Sequence, residues 1–224
     1  MTQTEKLSLG ERINELARKN RKPIFIVLGS TAVLLIAVVA IFSLMDLFRK
    51  KAISSVEEFN RRYEELRFTI NEESSAEKVE TLLAELNVFA GKTSGYAGGR
   101  AWSIIAAVYA DKKEWAEAEQ AWTRAAGAAA KTYLAPAAYF NAGVAAEEQG
   151  KNEEAIELYT RSVSHPGGVF PGAARAQFSI GRLWESLHDR GAALDAYRAV
   201  ISGWPSDAVW TSLAHSRIIA LEIQ

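Results

Sequence analysis

Cysteine is absent from this 224-residue sequence. Its absence excludes disulfides, thiolate metal sites, cysteine nucleophiles and a lipidated N-terminal cysteine. The sequence also lacks an excess of charge of either sign, because it has 26 Lys and Arg and 27 Asp and Glu, which gives a net charge of −1. Nucleic-acid binders need a basic surface to neutralise phosphates, so the composition gives no reason to expect a nucleic acid as a partner.

Motifs that would carry catalysis are missing as well. The three histidines, His165, His188 and His215, lack metal-ligand spacing and a partnering motif. The glycine-rich segment 95–99 (GYAGG) lacks the lysine and the serine or threonine of a phosphate-binding loop, and no predicted strand precedes it. We interpret it as a linker between helix pairs. The sequence therefore predicts no catalytic residue, no metal, no cofactor and no enzymatic activity.

A long apolar segment is present near the N-terminus. From Pro23 to Met45 no residue is charged, and a helix of that length spans roughly 35 Å, enough for a hydrocarbon core of about 30 Å. A cleaved signal peptide is the alternative, but its apolar region usually has only about 7–15 residues. The segment predicts a single transmembrane signal-anchor helix over residues 23–48, in contact with lipid.

Basic residues flank both ends of this segment almost equally. Before it stand Arg18, Lys19, Arg21 and Lys22, and after it stand Arg49, Lys50 and Lys51. The positive-inside rule weighs short loops most, and the short N-terminal arm also carries Lys6 and Arg12. We therefore expect a cytoplasmic N-terminus and an extracytoplasmic C-terminal domain, with the reverse orientation as the alternative.

Three later segments superimpose without gaps: Ala101–Ala125, Ala138–Ser162 and Ala176–Val200. In each, a small residue suited to close helix contact recurs at intervals of 37 and 38 residues: Ala106, Gly143 and Gly181. Further on, a second small residue and an aromatic recur together: Ala118, Ala155 and Ala193, then Trp122, Tyr159 and Tyr197. Self-similarity at such a period is typical of helical repeat arrays.

This pattern resembles the tetratricopeptide repeat, a helix-turn-helix with small and aromatic residues at set positions. The first repeat matches most fully, with Trp102, Ile105, Ala106, Tyr109, Trp115, Ala118, Trp122 and Ala125 in order. In the third repeat Pro205 takes the closing proline position, and Arg190 replaces the aromatic between the helices. The resemblance implies an all-α fold, an α-solenoid of about three to four helix pairs with a C-terminal capping helix.

The predicted layout has five parts. They are a basic N-terminal arm (1–22), the transmembrane helix (23–48), a membrane-proximal helix pair forming a degenerate repeat (49–99), three repeats (100–205) and a capping helix (206–224). Apolar spacing places the helix pair at Ser54–Ile70 and Ser75–Ala90, with Ser75 as an N-cap. Ser206 is the predicted cap of the last helix, which would cover the apolar face of the third repeat.

The resemblance also implies a concave groove lined by the first helix of each repeat, which would bind a peptide or helix of another protein. In the register above, the groove residues that we predict are Ser103, Phe140, Val144, Glu147, Phe178, Arg182 and Glu185. Packing of Phe140 and Phe178 against neighbouring helices is the alternative role for the two aromatics. The lysine and asparagine clamp of some tetratricopeptide domains is not matched here.

A basic arm, one signal-anchor helix and a repeat domain together resemble the YfgM-like family, ancillary subunits of the SecYEG translocon with a periplasmic repeat domain. The resemblance implies a scaffold in the bacterial inner membrane whose protein partners are the Sec translocon, a chaperone or emerging secreted chains. The alternatives are a cytoplasm-facing assembly platform for a membrane complex and a structural oligomer packed through small residues near Gly29.

Overall fold

The computed structural model describes residue 10 and residues 18–166 and 170–223. Helices account for the regular structure of these residues, and no strand occurs among them, which confirms the predicted all-α class. Nine α-helices lie in the described part of the chain after residue 20: α1 Arg21–Leu66, α2 Ala76–Lys92, α3 Gly95–Asp111, α4 Trp115–Ala128, α5 Leu134–Glu148, α6 Asn152–Val163, α7 Ala173–Ser186, α8 Arg190–Gly203 and α9 Ala208–Ile223. The greater part of the predicted basic arm, including Lys6 and Arg12, lies outside the described residues.

The chain divides into two compact units between Lys51 and Ala52. The greater part of α1 belongs to the first unit, and the helix is long and apolar enough to cross a membrane, judged by length and composition alone. Large apolar side chains such as Phe25, Leu34 and Phe42 are exposed there. Asp46, the only acidic residue between Arg21 and Lys51, pairs with Arg49 at 2.7 Å and with Lys50 at 2.8 Å.

Helix α1 continues without interruption through the positions where two separate helices were predicted. Residues 46–53 contain neither glycine nor proline, and the Asp46 ion pairs have the i,i+3 and i,i+4 spacing that supports a helix. The helix predicted from Ser54 is therefore the C-terminal part of α1, which ends at Leu66 and is followed by a short 3-10 turn at Arg67–Thr69.

In the second unit each helix packs against the next one in sequence, from α2 to α9. The first helix of the first repeat, α3, also contacts that of the second, α5, and α7 contacts the capping helix α9 in the same way. This arrangement is that of a solenoid, in which each repeat contacts only its neighbours. The predicted signature residues pack as expected, because Ile105, Ala106 and Ala118 are almost fully buried.

Two glycines explain why the helices of the second and third repeats lie so close. A Cβ atom on Gly143 would lie 2.8 Å from the ring of Tyr159, and one on Gly181 would lie 2.6 Å from the ring of Tyr197. Real Cβ atoms do not approach a ring so closely. The tyrosine ring can therefore pack against the first helix in this way only if that position is glycine.

The glycine-rich segment 95–99 is not the linker that was predicted. It forms the first turn and a half of α3, with Gly98 and Gly99 buried. A Cβ on Gly99 would lie 2.4 Å from the Cβ of Ala129, and one on Gly98 would lie 2.1 Å from the carbonyl oxygen of Thr93. These glycines allow the backbone of α3 to pack closely against its neighbours. The prediction failed because a glycine that makes a loop flexible and a glycine that allows close packing cannot be told apart in a sequence.

The last helix covers the third repeat as predicted, through Ala214 and Leu221, which are buried against α7 and α8. Its cap differs from the prediction. Asp207, not Ser206, accepts the hydrogen bond, from the backbone N–H of Trp210 at 3.3 Å. Asp207 precedes Trp210 by three residues, the usual separation between an N-cap residue and the backbone N–H from which its side chain accepts.

Candidate protein-binding groove

The predicted groove residues lie on the first helices α3, α5 and α7, but they differ in accessibility. Ser103 is 7% exposed, and its hydroxyl donates to the carbonyl of Gly99 in the same helix at 2.9 Å. Phe140, Val144, Glu147, Phe178 and Glu185 are partly buried, and Arg182 is exposed. The structure therefore leaves the residues of α5 and α7 within reach of a partner, whereas Ser103 presents little surface.

A carboxylate on α5 joins the second repeat to the third. Glu147 accepts a hydrogen bond from the hydroxyl of Tyr159 at 3.1 Å, within its own repeat. It also accepts a hydrogen bond from the guanidinium of Arg182, on α7 of the next repeat. A charged acceptor strengthens both hydrogen bonds.

The same arrangement recurs one repeat later. Glu185 accepts a hydrogen bond from the hydroxyl of Tyr197 at 2.6 Å and two from Arg217 of α9, at 2.6 and 3.1 Å. Burial acts to raise the pKa of Glu185, but the hydrogen bonds from Arg217 and Tyr197 outweigh it, so the pKa is lowered. Burial and the carboxylate together raise the pKa of the Tyr197 phenol. The glutamate is therefore charged and the tyrosine neutral at neutral pH.

The tyrosines that donate to these carboxylates each contact a phenylalanine of their own repeat. The ring of Phe140 lies 5.5 Å from that of Tyr159 and 5.8 Å from that of Phe170. The ring of Phe178 lies 5.1 Å from that of Tyr197 and 5.4 Å from that of Trp210. Both phenylalanines thus pack against neighbouring aromatics and still keep part of their surface open to solvent.

The structure places several further residues at this surface. Tyr159 and Tyr197 were predicted only as packing residues, yet their hydroxyls hold the glutamates. Arg217 was not predicted at all. A signal existed, because Phe, Glu and Tyr each recur after 38 residues, which shows that the whole group repeats. Arg217 follows Arg182 by 35 residues, so a search at the strict period misses it.

The group does not extend into the first repeat. One period before Phe140, Glu147 and Tyr159 stand Ser103, Ala110 and Trp122. On the first helices, the predicted groove positions thus carry small, uncharged side chains in the first repeat, and aromatic and charged side chains in the second and third.

Among the residues that the structure describes, no three His, Asp or Glu side chains lie close enough together to hold a metal ion. His165 lies near Tyr139, with ring centroids 6.1 Å apart.

The fold is that of a tetratricopeptide-like helical-repeat solenoid, a class of fold typical of protein-interaction scaffolds. No protein-family model matches the sequence. A TPR repeat-containing protein of Treponema pallidum (strain Nichols) is 38% identical over 148 residues, which cover 65% of this chain. The chain spans 61% of the length of that relative.

Solved structures support the same fold. Two crystal structures from Podosopora anserina, described as nearly identical TPR-like repeats of a kinesin light chain, align with TM-scores of 0.52 and 0.51 at 15% identity. Each alignment covers 68% of this chain and 77% of the other. At this identity the likeness shows the fold and does not extend to the partners.

Proposed function

We propose that this chain is a membrane-anchored scaffold of the bacterial cell envelope whose repeat groove binds segments of other proteins. The observation that carries the proposal is the surface on α5 and α7, where Phe140 and Phe178 are partly exposed on the same two helices as the Glu147–Arg182 ion pair. Accessible aromatic rings with fixed charges beside them suit the recognition of a peptide or an amphipathic helix. Envelope partners of the kind proposed are the Sec translocon, a chaperone or emerging secreted chains.

The apolar part of α1 supports the anchoring. Residues 23–45 carry no charge and lie in an unbroken helix, and every one of their side chains that the structure describes is exposed. A soluble protein does not expose so large a continuous apolar surface, whereas a bilayer would cover it. We propose a cytoplasmic N-terminus and a repeat domain on the outer side of the membrane.

Binding in the groove is tested by replacing Phe140 and Phe178 with serine in the full chain. We expect proteins captured from cross-linked envelopes to fall at least about tenfold, since buried aromatic anchors contribute on the order of 2 kcal/mol or more to binding. Val88→Ser is the matched control, because Val88 is a 59% exposed apolar residue on α2, away from the groove. Circular dichroism should show that all variants keep their helicity, and unchanged capture by the double variant would contradict the proposal.

Orientation is tested by protease accessibility of the C-terminal domain in intact spheroplasts. Digestion to a short membrane-protected fragment is the expected result and places the repeats outside the cytoplasm. Full protection, with cleavage only after lysis, would instead place them inside. That outcome would remove the translocon-subunit analogy and favour the cytoplasm-facing assembly platform.

A further inference from the structure

One groove arginine differs from the others in its partners. Arg175 lies in the first turn of α7 and is exposed. Its guanidinium carbon lies 5.2 Å from the centroid of the Phe140 ring, which belongs to α5 of the preceding repeat. Stacking on an aromatic face uses the plane of the guanidinium and leaves its N–H edge available.

The other two groove arginines already hold carboxylates. Arg182 is paired with Glu147, and Arg217 is paired with Glu185. No Asp or Glu among the residues that the structure describes lies within salt-bridge distance of Arg175. This part of the groove therefore has three arginines and two carboxylates, and Arg175 is the arginine whose charge is not paired with a carboxylate.

We infer that Arg175 binds the side-chain carboxylate of an Asp or Glu in the partner segment, next to an apolar residue that packs on Phe140 and Val144. The inference rests on the proposed function and names the chemistry of the partner. A planar guanidinium fits a carboxylate through two parallel hydrogen bonds. Phe140 and Val144 lie one helical turn apart on α5 and are both partly exposed, so an apolar side chain finds its contact beside the anion.

The experiment is a selection of random peptides displayed on phage, with the full chain held in detergent. The peptides are fused through their C-termini, so that any selected carboxylate belongs to a side chain. Peptides that still bind the Phe140→Ser, Phe178→Ser variant are removed, which leaves groove binders. We expect Asp or Glu to be enriched beside a large apolar residue.

Affinities of the selected peptides then identify the arginine. Arg175→Gln should weaken binding about tenfold, in keeping with the loss of a charge-assisted pair, and Arg175→Lys should weaken it less. Arg124→Gln is the matched control, because Arg124 is also exposed and stacks on an aromatic, Trp102 at 4.9 Å, but lies on the second helix of its repeat. Replacing the peptide's Asp by Asn should weaken binding to the unmodified chain and leave binding to Arg175→Gln unchanged.

Two failures are distinguishable. If peptides bind in a Phe140-dependent manner without acidic enrichment, or bind Arg175→Gln equally well, the role of Arg175 is overturned and the groove function stands. If no peptide distinguishes the unmodified chain from the serine variant, the groove function itself fails.

Discussion

The turn between the two helices of each repeat places one residue in the left-handed backbone region. Lys113, Gly150 and His188 occupy this position at intervals of 37 and 38 residues, with φ angles of 61°, 74° and 61°. Glycine adopts this conformation at little steric cost, whereas a side chain costs roughly 1–2 kcal/mol in it. The second repeat therefore has the favoured residue, and the first and third do not.

We expect Lys113→Gly and His188→Gly each to raise the free energy of unfolding by a few tenths to about 1 kcal/mol, because relief of strain exceeds the entropy lost by glycine. Urea denaturation measures the change. Gly150→Ala is the converse and should lower stability by about 1 kcal/mol. If both glycine variants were less stable than the original chain, the strain argument would be wrong.

Contact between the first and second helix depends on the glycines that receive the tyrosine rings. We expect Gly143→Ala and Gly181→Ala to lower the free energy of unfolding by about 1–3 kcal/mol, because the added methyl group meets Tyr159 or Tyr197. Thermal and denaturant unfolding measure the change.

Gly127→Ala is the control for this prediction. Gly127 is the second-last residue of α4, and a Cβ there would meet nothing within 4 Å. Alanine should therefore raise stability, by at most about 0.5–1 kcal/mol, through helix propensity alone. Equal effects at Gly127 and Gly143 would mean that the tyrosine contact is unimportant.

The carboxylate between α7 and α9 predicts a dependence of stability on pH. Since the folded state lowers the pKa of Glu185, its contribution is present above the unfolded pKa of about 4.3 and is lost as the pH falls through the lower, folded value. At neutral pH, Glu185→Gln should be less stable by on the order of 1 kcal/mol, because the glutamine loses the charge-assisted hydrogen bonds from Arg217 and Tyr197.

Thermal unfolding of both chains from pH 7 down to pH 3 tests this prediction. The difference in Tm between them should shrink as the pH falls below about 4. Asp195→Asn, on the exposed face of α8, is the control. A difference that stayed constant down to pH 3 would show that ionisation of Glu185 contributes nothing.

At the scale of the whole molecule, the proposed anchor predicts how the chain fractionates. The full chain should remain in the membrane pellet after alkaline carbonate extraction, because about 23 apolar residues in lipid resist displacement. A chain that lacks residues 23–48 should move to the soluble fraction. A mature chain that begins after residue 40 would instead indicate a cleaved signal peptide.

Structural features that follow from the spacing of residues, such as helices and repeats, could be predicted from the sequence. The hydrogen-bond and ion-pair partners of individual side chains could not. The all-α class and the three repeats follow from small and aromatic residues at a period of 37 or 38, and the covering role of α9 follows from the apolar residues of the last segment. The groove positions follow from the register of that repeat and stay a prediction. The partners of the groove charges were missed, because Arg217 reaches back across a repeat boundary at an irregular interval. The unbroken length of α1 was missed because charge was read as a boundary, although lysine and arginine are good helix formers.

The carboxylates Glu147 and Glu185 are each paired with an arginine from outside their own repeat, Arg182 of α7 and Arg217 of the capping helix α9. The unit that could be copied, swapped or grafted is therefore not one repeat, since a cut at a repeat boundary separates a glutamate from its cation. An array shortened after α8 would leave Glu185 without Arg217, and an inserted repeat would have to bring its own arginine at the matching position. Modular engineering of this solenoid should accordingly transfer each glutamate-bearing helix pair together with the first helix of its successor.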